Sequence, residues 1–408
     1  MNSTSNNAPW VVVAAGFHSL GGMDKANLAL AQYLLDQDVP VHVVAHKVDA
    51  ELERHPLARI HMVHPPAGML SLGEPLLDWQ GRRVARSVLS RWPNAQVVVN
   101  GGNCIWPGIN WVHYVHHAWH PAVSGGSAAH RIKDELFNVW ARKRERAAFK
   151  KARLVITNAR ATTRDVVEKV QIDERKVHTI YLGSDPEWGL VTPEERRAGR
   201  RALQVTDSRP LAVFVGALGF DHRKGFDVLF DAWQRLCARP DWDADLLVAG
   251  TGRALAMWQA KVSEAGLANR IRLLGFSNQV KHLLAAADLL VSPVRYEPYG
   301  LNVQEAICRG IPAVVSSSAG VAERYSGELA PLLLPDPEDV TDLVERLLGW
   351  RAGVDYWKTK FQLLGEELRR NTWPKMAEQI VALAGRVAGY GEPNRLELVG
   401  PETGGHLL

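Results

Sequence analysis

Glu297 and Glu305 stand eight positions apart in VRYEPYGLNVQEAICRG, with Pro298 and Gly300 between them. The apolar run DLLVSP at 288–293 reads as a strand and 301–309 as a helix, so Glu297 is expected in the loop at the strand end and Glu305 about one turn inside the helix. The backbone N–H groups of Tyr299, Gly300, Leu301 and Asn302 then lie at or before the helix start. They lack intrahelical acceptors and can hold an anion or sugar hydroxyls. An isolated pair of glutamates at this spacing is ordinarily two solvated charges. Here the pair sits inside EPYGLNVQEA, followed by GIPAVVS and AGVAE. A second feature is Lys224, next to Gly225 at the head of a helix predicted over 225–238. A cation there opposes the helix dipole, which favours an anionic ligand over an idle surface lysine. Four histidines, His113, His116, His117 and His120, are spaced i, i+3, i+4 and i+7. On a helix they would share a face and could bind zinc. WVHYVH at 111–116 has strand composition instead, so convergence and a metal are not expected.

Stepping outward, these residues fall in an alternation of strands and helices. Apolar runs at 10–15, 41–46, 60–64, 96–100, 111–116, 154–158 and 177–182 are separated by helical periodicity at 23–35, 76–91 and 131–150. The stretch GSDPEWGLVTPEERR, with Pro186, Gly189 and Pro193, reads as a linker. The alternation then restarts, with strands at 211–218, 245–250, 271–276, 288–293 and 311–317 and helices at 225–238, 253–265, 277–286, 301–309 and 337–349. The expected fold class is α/β, with two doubly wound Rossmann-like domains, 1–184 and 185–371, facing across a cleft. A helical stretch at 372–390 has no strand after it, and 391–408 is expected to be a flexible tail. Ligands in such sheets bind beyond the carboxyl ends of the strands, where the candidate loops lie.

Composition narrows the classes. Of 408 residues, 46% are hydrophobic and 23% charged, and the net charge is +4. That excess is too small to point to nucleic acid. Three cysteines far apart do not make a disulfide scaffold. No apolar run is long enough to span a bilayer, and MNSTSNNAPW does not read as a signal peptide, so a cytoplasmic protein is expected. The segment Arg131–Arg153 carries nine basic and three acidic residues. It reads either as a solvated helix face or as a docking surface for an anionic membrane.

The string EPYGLNVQEA…GIPAVVS…AGVAE resembles the retaining GT-B glycosyltransferases of the large family four of nucleotide-sugar enzymes, and the resemblance spans roughly residues 10–390. LAVFVGALGFDHRKGFDV, VAGTGR, IRLLGF and GFHSLGGMDKANLALA fall in register with it. The resemblance implies that a hexose-type sugar moves from a nucleotide diphosphate sugar to a hydroxyl of a glycan or glycolipid, with retention and with neither metal nor cofactor. It implies that Glu297 contacts the donor sugar, Glu305 the ribose, and Lys224 the diphosphate. Gly21 and Gly22 would admit the diphosphate from the first domain, and Gly252 and Phe276 would border the nucleotide. His116, or second His117, would position the acceptor hydroxyl or the sugar 6-hydroxyl, and Glu323 reads either as a residue at or behind the sugar or as a helix-surface glutamate. The last helix would pack back on the first domain. One departure is the family's Gly-Arg-Leu, which is Gly216-Ala217-Leu218 here. Arg223 is expected to substitute, with Arg253 and Arg295 as weaker candidates. A GT-B phosphorylase, a sugar-nucleotide epimerase or a non-catalytic sugar-nucleotide-binding relative would use the same cleft.

Overall fold

The computed structural model describes residues 8–66, 70–120, 128–206 and 209–389. The tail 391–408 lies outside them. The first sheet contains β1 (Trp10–Val13), β2 (Val41–Ala45), β3 (Ala58–Met62), β4 (Gln96–Asn100), β5 (Ile109–Val112), β6 (Leu154–Thr157) and β7 (Val177–Thr179). Its order is β3-β2-β1-β4-β5-β6-β7, and every pairing is parallel. The second sheet contains β8 (Leu211–Val215), β9 (Asp245–Ala249), β10 (Ile271–Gly275), β11 (Leu289–Ser292), β12 (Ala313–Ser316) and β13 (Leu333–Leu334). Its order, β10-β9-β8-β11-β12-β13, repeats the 3-2-1-4-5-6 sequence of the first six strands of the other sheet. The halves share a topology without a repeat visible in the sequence.

Both faces of each sheet are covered, which is why the strands read as continuous apolar runs. Successive side chains of β1 serve opposite faces. Val12 packs with Leu30 and Leu34 of α1 (Gly22–Asp36), whereas Val11 and Val13 pack with Leu77 and Val84 of α2 (Leu70–Leu89). Other helices that bear on the site are α3 (Ala128–Lys151), α4 (Phe226–Cys237), α5 (Leu301–Cys308), α6 (Val354–Arg369) and α7 (Trp373–Gly389). Met376, Ala377, Ile380 and Ala384 make a buried stripe on α7, and this stripe joins the core of the first sheet, not the second. The chain's last described helix thus returns to the domain where the chain began. Tyr299 also lies in that core although its loop leaves β11.

Several elements differ from the sequence reading. The helix Pro193–Ala202, capped by Thr192 and Glu195, begins inside the stretch read as a linker. β5 ends at Val112, so His113 already belongs to the loop. α6 was not anticipated. Its buried face of Trp357, Phe361, Leu364 and Leu368 keeps a regular helical spacing that the sequence reading passed over. β13, two residues long, leaves no periodic signal.

Candidate functional site

In each sheet the strand order reverses direction between its first and fourth strands, β1/β4 and β8/β11, which are the crevices where such folds bind ligands. The loops leaving these strands meet across the domain boundary. The backbone N–H of Val115, beyond β5, donates to the Tyr296 hydroxyl, beyond β11, at 3.1 Å. His116 and Glu297 therefore each lie one residue from a direct bond between the halves.

Glu297 pairs directly with Lys224 Nζ. Local backbone explains the meeting. Gly225 caps α4 at φ +70°, and a Cβ there would lie 1.8 Å from the Pro293 carbonyl oxygen. Only glycine lets the Lys224 turn press this closely on the strand end that carries Glu297. Gly300 begins α5 at φ +104°. Asn302 Nδ2 then donates to Val215 O at 2.9 Å, which ties α5 to the end of β8. Tyr299 is buried with its hydroxyl on Gln304, so only its backbone can face a ligand.

The three arginines separate. Arg223 stacks over the Tyr114 ring at 5.7 Å and borders the cleft. Arg295 is held by Asp227 at 2.7 and 2.8 Å and by Glu338, so it is committed to structure and is not an open phosphate ligand. Arg253 pairs with Asp134 of α3 at 3.1 Å. Ala217 is exposed and brings no charge.

His116 and His117 converge on Glu145 of α3, a residue the sequence reading passed over within the charged run. Glu145 is fully buried. It accepts from the backbone N–H of His116 at 2.7 Å and of His117 at 3.2 Å, and it meets their Nδ1 atoms at 3.2 and 2.6 Å. Burial pushes its pKa up, but the hydrogen bonds from the two histidines outweigh this and hold it below the usual carboxylate range. An ionised carboxylate only accepts, so each ring presents Nδ1–H to it and leaves Nε2 as the nitrogen available to a ligand. His113 lies apart, its ring against Trp111 at 4.5 Å. Burial lowers its pKa to about 3. Among the described residues no three His, Cys, Asp or Glu side chains converge as metal ligands would.

The remaining candidates lie outside this centre. Glu305 meets Lys25 Nζ of α1 at 3.2 Å, and Lys25 also approaches Asp185 at 3.6 Å. Burial raises the Glu305 pKa and Lys25 pulls it back. Gly22 packs on Leu301, where a Cβ would meet Leu301 Cδ2 at an ordinary 3.4 Å. Gly21 has extended backbone. Neither position demands glycine for its conformation. The loops after β8, β9 and β10 press backbone to backbone, since a Cβ on Gly252 would lie 2.2 Å from Leu218 O and Gly250 N–H donates to Gly275 O at 2.8 Å. Phe276 follows them, largely exposed. Glu323 corrects the expected sugar contact. It caps the helix Arg160–Arg164 through the N–H groups of Arg160 and Ala161, at 3.0 and 2.5 Å, and accepts from the Tyr181 hydroxyl at 2.8 Å. Its carboxylate is a strut between the halves.

A cavity of about 450 Å³ opens at the carboxyl ends of β1, β4 and β5, bordered by His46, Glu74, Asn100, His113, His116 and, from the other half, Arg223.

Two facing Rossmann-like domains, with an anion-suited helix start and a lysine–glutamate pair at their cleft, define a GT-B glycosyltransferase fold. Comparison with known proteins agrees. Residues 209–349 match the model "Glycosyl transferases group 1" and residues 20–188 match "Glycosyltransferase Family 4". An uncharacterized glycosyltransferase of Methanocaldococcus jannaschii is 31% identical over 48% of this chain and 50% of its own. The lipopolysaccharide core biosynthesis mannosyltransferase of Rhizobium meliloti is 34% identical over 33% of this chain and 39% of its own. The chain spans about half the length of the curated relatives it matches. Anabaena HepE, solved with UDP and glucose, superposes with a TM-score of 0.71 at 18% identity, over 93% of this chain and 99% of that one. The chain belongs to the group 1, family 4 glycosyltransferases.

Proposed function

We propose that the chain is a retaining, metal-independent glycosyltransferase that moves a hexose-type sugar from a nucleotide diphosphate sugar to a hydroxyl of a glycan or glycolipid acceptor. The observation that carries this reading is the Lys224–Glu297 pair at the start of α5, one bonded loop away from His116. A departing diphosphate gains negative charge. Lys224, Arg223 and the unpaired N–H groups of α5 can receive it. Donor binding exchanges the lysine's partner from Glu297 to phosphate and frees Glu297 for the sugar hydroxyls. On front-face attack the acceptor oxygen bonds to the anomeric carbon, the bond from that carbon to the phosphate oxygen breaks, and the acceptor proton passes to the departing phosphate. His116, oriented by Glu145, offers Nε2 to the acceptor hydroxyl. Closure of the domains would keep out water, the competing acceptor.

The relatives support the classes of donor and acceptor: a mannosyltransferase of lipopolysaccharide core biosynthesis, and a structure in complex with UDP and glucose. The test is a thermal-shift series with UDP-, GDP-, ADP- and dTDP-sugars, with magnesium and with chelator. At 100 times its Kd the accepted donor adds about 2.7 kcal/mol of stability. A shift from one nucleotide series, equal in both conditions, is the expected result; no shift from any, or one that needs metal, rejects the reading.

A membrane contact is proposed on the surface of α3. Ile132, Leu136 and Val139 are 62%, 66% and 38% exposed and lie on successive turns beside Lys133 and Lys143. Apolar side chains flanked by cations suit an anionic leaflet. Co-sedimentation with phosphatidylglycerol vesicles, but not phosphatidylcholine vesicles, is expected. Equal recovery with both would reject the contact.

A further inference from the structure

On the first-domain side of the cavity at the carboxyl ends of β1, β4 and β5 several acceptor atoms gather, while Arg223 of the other half supplies a cation. His46 Nδ1 lies 2.7 Å from the Val63 carbonyl, so it must carry the proton, and Nε2 is left as an acceptor. Glu145 takes His116 Nδ1, so Nε2 is the ring nitrogen left for a ligand. Asn100 gives its Nδ2 to Asn27 Oδ1 at 2.9 Å, and its own Oδ1 is buried with no partner. Glu74 adds a carboxylate. All four residues border the cavity.

Glu74 stands out because it has no ion pair among the described residues. Arg144 and His116 act on it only at a distance. Arg144 gives its Nε to Gly102 O at 3.2 Å, while its buried Nη2 has no hydrogen-bond partner and lies 3.7 Å from Asp78. His116 is bound to Glu145. Arg223 enters from the opposite domain and stacks on Tyr114. Burial raises the Glu74 pKa, the mark of a carboxylate short of favourable partners. A carboxylate held in the cavity wall without an ion pair matches a ligand that brings its own cation.

We infer that the acceptor ring this cavity takes carries an ammonium group beside its hydroxyls, as an amino sugar or aminocyclitol does, and that Glu74 receives the ammonium. The inference rests on the transferase reading and narrows its acceptor. The hydroxyls fall to His46 Nε2 and His116 Nε2, and the cavity is of a size for one or two sugar rings.

The test measures binding of glucosamine, glucose and glucose 6-phosphate to the full chain by calorimetry, with and without a nucleotide diphosphate, at about pH 6.5, below the range of a simple amine. Glucosamine should bind at least about tenfold more tightly than glucose, in line with a charge-assisted hydrogen bond. Glucose 6-phosphate should bind most weakly. In Glu74→Gln, which keeps the shape and removes the charge, the preference for glucosamine should vanish while glucose binding holds; the melting temperature without ligand reports that the variant folds. Glu74→Ala should lose the preference in the same way. Equal binding of glucosamine and glucose, a preference for the phosphate, a preference that survives Glu74→Gln, or no binding of any probe at millimolar concentration each overturns the inference. Failure here with a donor-dependent thermal shift intact would leave the transferase reading standing. Loss of that shift would remove the reading itself.

Discussion

Glu145 sets the chemistry of a loop far from it in sequence. Its two oxygens satisfy two backbone N–H groups and two imidazoles, so it fixes both the path of the 115–117 loop and the tautomer of His116. Glu145→Gln keeps the size but brings an NH₂ that can donate to Nδ1, and the tautomer is no longer imposed. Turnover should fall about tenfold, as for a lost charge-assisted hydrogen bond that positions the acceptor, and the acid limb of the pH–rate profile should move, while the donor-dependent thermal shift remains. Unchanged turnover and profile would reduce Glu145 to a loop anchor. Nothing in the sequence marked this residue, because three acidic residues among nine basic ones look like surface charge balance. His116 was visible from its place at a strand end, but its orienting partner was not. The same holds for Lys224 and Glu297. Their types and loops were legible, and their direct pairing was not, since 73 residues separate them.

The elements were the most legible level. Parallel strands buried on both faces announce themselves as apolar runs, and the order in which they alternate with helices is the order of the fold. What failed were α6, whose Trp357, Phe361, Leu364 and Leu368 keep a regular helical spacing that was passed over, and β13, too short for a period. One pair of strands carries a pH dependence of its own. His42 of β2 and His61 of β3 stack at 5.3 Å with a ring nitrogen contact of 3.1 Å. Burial lowers the His42 pKa from 6.5 to about 4, with His61 and Arg59 adding to it. The folded state therefore holds the neutral ring. Above pH 6.5 the stabilisation is complete. As pH falls from there towards about 4, the unfolded chain takes up a proton that the folded chain refuses, and stability declines. The melting temperature should drop over this window, and less steeply in His42→Gln; identical slopes in the two proteins would place the acid sensitivity elsewhere.

At the scale of the whole molecule the two halves are joined by a seam of specific bonds as well as by a linker. Glu323 caps a helix of the first domain, Thr162 Oγ1 donates to Pro298 O at 3.0 Å, and Gln304 Nε2 donates to Gly183 O at 2.8 Å. The sequence reading could place Glu323, Gln304 and Glu305 on their elements. It could not say which of them faced the cleft and which faced the other domain, because that depends on partners up to 280 residues away. Glu305 is the residue on which this matters most. The family resemblance assigns it to ribose, yet here it is held by Lys25 across the seam. Both roles are compatible if donor binding transfers the carboxylate from the ammonium to the ribose hydroxyls, which would couple nucleotide binding to the domain contact. A double-mutant cycle with Lys25→Met and Glu305→Gln separates the roles. Without nucleotide the pair should show a coupling of about 1–3 kcal/mol in unfolding free energy, as contacting charges do. With the accepted nucleotide saturating, that coupling should fall by more than half, because the ribose takes over the acceptor oxygens. A coupling unchanged by nucleotide would make Glu305 a strut like Glu323, and the ribose contact would have to come from another residue of the cleft.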